Sequence, residues 1–169
     1  MRNAQFWFVY LLMALLQLAL TNYGSVTPYI MITILPVMVL CIPIRTGTLA
    51  AMVIAFVTGL AVDWLSEGVP GLNALALVPV ALARDNIIKL VFGKELFARK
   101  EDFSTKRSGF PQVALAVFFS LALFLIVYIW VDGAGTRPFW FNVGRFFASL
   151  IISYLACLLS VGTLAPSHK

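Results

Sequence analysis

The sequence predicts an all-α, polytopic integral membrane protein with six transmembrane helices, and three observations carry that prediction. First, of 169 residues 62% are hydrophobic and only 11% are charged. An ordinary soluble domain is about 45–50% apolar and about 25% charged, so this chain lacks the polar side chains to cover a water-facing surface. The same balance excludes disorder, whose signature is low hydrophobicity. Second, the apolar residues fall into long runs divided by short polar breaks, with no lasting strand alternation. Lipid admits only helices and closed barrels, because every backbone polar group must be satisfied internally. Third, six spans of about 20 residues use about 120, leaving too little chain for a second, water-exposed domain. One membrane domain, 1–169, is expected.

The first run is 4–21, and its length, its Gln17 and the residues after it argue against a cleavable signal peptide. The second, 26–44, contains Pro28, Pro36 and Pro43, and Arg45 divides it from the third, 46–65. The fourth, 72–83, is short: twelve residues rise about 18 Å as a helix, against a hydrocarbon core of about 30 Å. It is either re-entrant or a helix extending further, past Arg84, with that side chain snorkelling to the interface. A charged loop, 84–109, precedes the fifth run, 110–131, and the sixth is 139–163. Within the loop, Asn86–Phe97 reads either as a helix on the inner leaflet or as a continuation of the fourth helix. Lys94–Lys106 is the most polar stretch, a solvated loop or a contact for a cytoplasmic partner.

Charge decides between these readings. With six crossings, ten of the twelve basic residues lie on one side and only Arg137 and Arg145 lie toward the other. That asymmetry obeys the positive-inside rule and places both termini in the cytoplasm. Trp7, Trp64, Trp130 and Trp140 then fall at predicted helix ends, the level tryptophan prefers. The net charge of +5 follows this topology rather than forming a nucleic-acid patch, so no nucleic acid is expected as a partner.

Little in the chain points to catalysis. The only histidine is His168, and Cys41 and Cys157 sit alone in apolar runs, so no nucleophile–base pair or metal-ligand set is apparent. Asp63 and Glu67 lie four apart, but Gly68 and Pro70 put Glu67 in a loop. No enzyme activity and no cofactor are expected. On the third run Ala51, Ala55, Gly59 and Asp63 recur every four residues, a small-residue stripe that admits a close neighbour. Asp63 either caps or pairs structurally or serves a function. On the sixth run Arg145, Ser149, Ser153, Ala156 and Ser160 share a face, expected to pack against another helix. Arg145 is expected to reach Asp63 or the external headgroups.

The stretch Gly59-Leu60-Ala61-Val62-Asp63-Trp64-Leu65-Ser66, followed by Gly68-Val69-Pro70-Gly71-Leu72-Asn73-Ala74-Leu75, resembles the signature of the bacterial rod shape-determining MreD family. The likeness covers a glycine four before an aspartate at a helix end, a serine three later, and Gly-x-x-x-Leu opening the next helix. Gly59, Asp63, Ser66 and Gly71 match by position, and Asn73 joins them on its polarity. The resemblance implies a fold like the S component of energy-coupling-factor vitamin transporters. It also implies a place in the bacterial cytoplasmic membrane, and a non-enzymatic role in cell shape and peptidoglycan synthesis. The implied partners, besides membrane lipid, are an MreC-like protein and, through it, MreB-like filaments and a RodA-type glycosyltransferase with its transpeptidase. The long loop and the proline-rich second run depart from the family's pattern. The alternative is an S-component-like small-molecule (vitamin) uptake subunit, with Asp63, Asn73 and Arg145 around an apolar cavity open to the outside.

Overall fold

Among the described residues, five long helices close into a ring around a sixth, very short one. In the computed structural model these are α1 (Arg2–Gly24), α2 (Leu35–Leu40), α3 (Thr48–Leu65), α4 (Leu72–Phe92), α5 (Phe110–Asp132) and α6 (Phe139–Leu164). The structure describes residues 2–24, 30–43, 45–66, 70–93, 109–133 and 137–164, and among them there is no strand. Around the ring α3 packs on α4, α4 on α5, α5 on α6, and α1 closes the gap between α6 and α3. The centre is α2, which touches all five others and whose six residues are all buried.

Helices α1, α3, α5 and α6 are each long and apolar enough to cross a membrane. Their outward faces remain apolar, as in Leu11, Val53, Phe118 and Leu155, which lipid rather than water would cover. Trp7, Trp64, Trp130 and Trp140 are all exposed and stand near helix ends. The fourth run does extend further. Helix α4 passes through Pro79 and Arg84 to Phe92, and Gly93 then turns away at φ +84°. The residues after Arg84 therefore continue the fourth helix, whereas Lys94–Lys106 lies outside the described residues.

The second run departs from expectation. It is not a continuous helix over 26–44: residues 30–34 are non-helical, and among the described residues of this run only Leu35–Leu40 are helical. Proline supplies the reason. Pro36 has no N–H to give the carbonyl of Ile32, four residues back, and its ring crowds that carbonyl, so a helix can begin here but not run through. Pro43 stops it again one turn beyond Val39.

A broken helix inside an apolar bundle leaves backbone groups that lipid cannot satisfy. Side chains from three helices meet them. Gln17 of α1 acts as a stand-in peptide: its Nε2 donates to the Ile32 carbonyl at 3.3 Å and its Oε1 accepts from the Ile34 N–H at 2.8 Å. From α6, Ser149 Oγ accepts the Met31 N–H at 2.9 Å. Ser153 Oγ accepts the Thr33 N–H at 3.1 Å and donates to the Met31 carbonyl at 2.9 Å. Cys157 Sγ donates to the Thr33 carbonyl at 3.3 Å.

The register between the two is geometric. Two residues of extended chain rise about 6.6 Å and four residues of helix about 6 Å. Hydroxyls at every fourth position of α6 therefore keep step with alternate residues of the extended segment, which runs parallel to α6. The Ser149 and Ser153 stripe, expected to pack against a helix, instead holds an unwound one.

At the other end of α2, Arg84 donates from Nε to the Leu40 carbonyl at 3.4 Å and from Nη2 to the Ile42 carbonyl. The side chain is 1% exposed, so it does not snorkel to the interface. A guanidinium inside the bundle is tolerated because the carbonyl end of a helix is its negative end, and Asp85 lies 3.5 Å away.

Candidate functional site

The residues that carry the family resemblance meet at one corner, where α3 hands over to α4. The stripe Ala51, Ala55, Gly59 and Asp63 is buried along its length, facing inward from α3. Gly59 makes the close approach possible: a Cβ there would lie 2.5 Å from both Cα and N of Ala74. One turn later the Asp63 carboxylate, 3% exposed, reaches across to the start of α4. It accepts from the Asn73 N–H at 3.0 Å, from the Asn73 side-chain Nδ2 at 2.8 Å and from the Ala74 N–H at 3.3 Å.

Asp63 is thus an N-cap supplied from another helix. The first amides of any helix lack intrahelical acceptors and favour a negative charge. Gly71, the residue in the capping position of α4, has no side chain to offer. It takes φ +90°, a left-handed conformation that suits glycine, and this turns the chain so that the amides face α3. Ser66 closes α3 by donating its N–H to the Val62 carbonyl at 2.9 Å, and its side chain is buried. Glu67, the other acid of this region, lies outside the described residues.

Arg145 does not pair with Asp63. Its Nη1 donates to Asp132 Oδ2, an acid at the end of α5 that sequence reading assigned to a loop. The correction has a simple cause: α5 and α6 are antiparallel neighbours joined by a short connection, which brings the end of one beside the first turns of the next. Proximity in the chain outweighs attraction across the ring. Arg137 approaches the same Asp132 oxygen at 3.8 Å and lies over the ring of Phe141. Tyr128 of α5 lies within electrostatic reach of Asp132, Arg145 and Asp63. Nearby, the Asn142 amide lies where a side chain on Gly133 would go, and its Oδ1 has no hydrogen-bond partner among the described residues.

Sequence reading named Arg84 and Gln17 without finding their roles, and passed over Asp132. The signal for Gln17 was a polar residue inside the apolar run next to the proline-containing one, and for Arg84 a cation directly after a run too short to span. Among the described residues no three His, Cys, Asp or Glu side chains gather as a metal site, and Cys41 and Cys157 are separate buried thiols. An open apolar groove of about 390 Å³ between α4 and α5 is lined by Ala83, Asn86, Ile87, Leu90, Phe119 and Leu123.

Ring, central half-helix and capped corner together define a polytopic helical membrane protein whose buried polar groups serve its own backbone. No protein-family model, no curated protein and no solved structure matches the chain.

Proposed function

We propose that this protein is a non-enzymatic, MreD-like component of the bacterial elongation complex, organising peptidoglycan synthesis and cell shape with an MreC-like partner. One observation supports the reading above others: Gly59, Asp63 and Gly71, which carry the resemblance, form with Asn73 a single contact joining two helices. Such a motif sets the shape of a helix pair, as a scaffold requires, rather than presenting groups to a reactant. The broad apolar outer faces of α1, α3 and α6 suit partner helices in the membrane. In this proposal the chain lies in the cytoplasmic membrane with both termini and the cation-rich loop inside. That loop faces the MreB-like filaments, and the RodA-type glycosyltransferase and its transpeptidase are reached through the MreC-like protein.

The uptake alternative draws less support. A cargo pocket belongs in the middle of the ring, and α2 fills it with Leu35, Val37, Met38 and Leu40. Asp63 and Asn73 bind each other, and Arg145 binds Asp132, instead of converging on open space.

The test is affinity purification of the tagged full chain from host membranes, with protein identification, beside microscopy of cells depleted of it. An MreC-like protein in the eluate and rounded cells are expected. Unchanged rods with no such protein recovered would remove the proposal.

A further inference from the structure

We infer that the corner between α5 and α6 binds a phosphate group, delivered by a phospholipid headgroup or as the free anion. The corner holds more cation than anion. Arg145 and Arg137 both address one oxygen of Asp132, Arg145 in direct contact and Arg137 at 3.8 Å, beyond hydrogen-bond distance. Donors also lack acceptors: among the described residues neither Arg145 Nε nor Arg137 Nη1, both buried atoms, has a hydrogen-bond partner. Arg145 is the inner, fixed member at 11% exposure, held by Asp132, while Arg137 is the more open of the two at 33%.

The start of α6 adds to the field. Its first amides, at Phe139 and Trp140, have no intrahelical acceptor, and the positive end of a 26-residue helix favours an anion. The surroundings set the depth. Trp130, Phe139 and Trp140 are exposed around this corner, with Phe139 in edge contact with both tryptophans. Exposed aromatic residues at helix ends mark the headgroup level, where phosphate oxygens are concentrated. A guanidinium offers a fork of donors matched to a phosphate, and a charge-assisted pair of this kind is stronger than a neutral hydrogen bond. Arg137 is the ligand-facing residue; Arg145 and Asp132 hold the corner in shape.

Native mass spectrometry of the full chain in mild detergent tests the inference. The probes are dioleoylphosphatidylglycerol, a phosphate-free dioleoyl glucolipid and inorganic phosphate. The phosphatidylglycerol adduct is expected to survive activation, and the glucolipid adduct is not. Arg137→Gln should lower retention by about tenfold or more, the effect of losing one charge-assisted hydrogen bond. Arg45→Gln, an exposed cation in a different part of the chain, should leave it unchanged. Displacement of the lipid by inorganic phosphate assigns the site to phosphate as such; lack of displacement assigns it to the lipid. Equal retention of the glucolipid, equal retention in Arg137→Gln, or an equal loss in Arg45→Gln would each overturn the site. Arg137 is partly exposed and makes no close ion pair, so its variant keeps the fold. A matching thermal unfolding curve checks that.

Discussion

At the α3–α4 corner one carboxylate satisfies the opening amides of a helix, whereas at the break in the second run five side chains from three helices are needed. The corner uses Asp63 alone. The break uses Gln17 of α1, Arg84 of α4, and Ser149, Ser153 and Cys157 of α6. The difference follows from what each does to the backbone. A helix end exposes a few amides pointing the same way, and one anion addresses them together. An extended stretch exposes groups on alternate sides at each residue, so no single side chain can reach them all. The corner is therefore local in sequence, ten residues from Asp63 to Asn73, while the break joins residues up to 124 apart.

Substitutions can reverse or sharpen that contrast. The largest effect is expected at Arg84→Ala, which leaves the Leu40 and Ile42 carbonyls unmet inside the bundle. A loss on the order of 3–5 kcal/mol is expected, read as thermal unfolding in detergent. Gln17→Leu comes next, at about 2–3 kcal/mol, because it strips the bonds to Ile32 and Ile34 together. At the corner Gly59→Ala drives a methyl into the Ala74 backbone, with about 1–3 kcal/mol expected from forced separation of α3 and α4.

Asp63→Ala should lose about 1–2 kcal/mol, the usual worth of a helix cap, with Asp63→Asn recovering part of it. The smallest is Ser153→Ala, about 0.6–1.7 kcal/mol, the range for one polar contact between membrane helices. If Asp63→Ala proves more damaging than Gln17→Leu, the corner and not the break dominates stability, and the comparison turns around. A double-mutant cycle of Gln17→Leu with Ser153→Ala sharpens it, since both hold the same segment and should be non-additive.

Much of the architecture was legible from one-dimensional patterns. The limits of α3, α5 and α6 follow from apolar runs ended by glycine, proline or charge, and α4 was seen to extend past its apolar part. The Gly59–Asp63 stripe was visible as a four-residue repeat with a carboxylate at its end. What escaped was pairing at a distance. Arg84 reads from its neighbours as a residue at the membrane edge, since nothing near it in sequence reveals the α2 carbonyls that receive it. Arg145 was matched with the acid that looked most out of place, not with Asp132 across a short connection. The serines of α6 were seen to share a face, but their spacing cannot say whether a helix or an extended segment lies opposite.

The sequence by itself determined that this chain is a bundle of membrane helices, because hydropathy and backbone satisfaction in lipid depend on composition and run length. The prolines that break the second run also stand in the sequence, each removing a donor, but the run's apolar length reads as one continuous span and only the structure shows the break. Only the tertiary structure decided that the broken piece sits at the centre of the ring and which side chains replace its lost bonds. Those partners are fixed by the distances between folded helices, and separation along the chain carries no record of them.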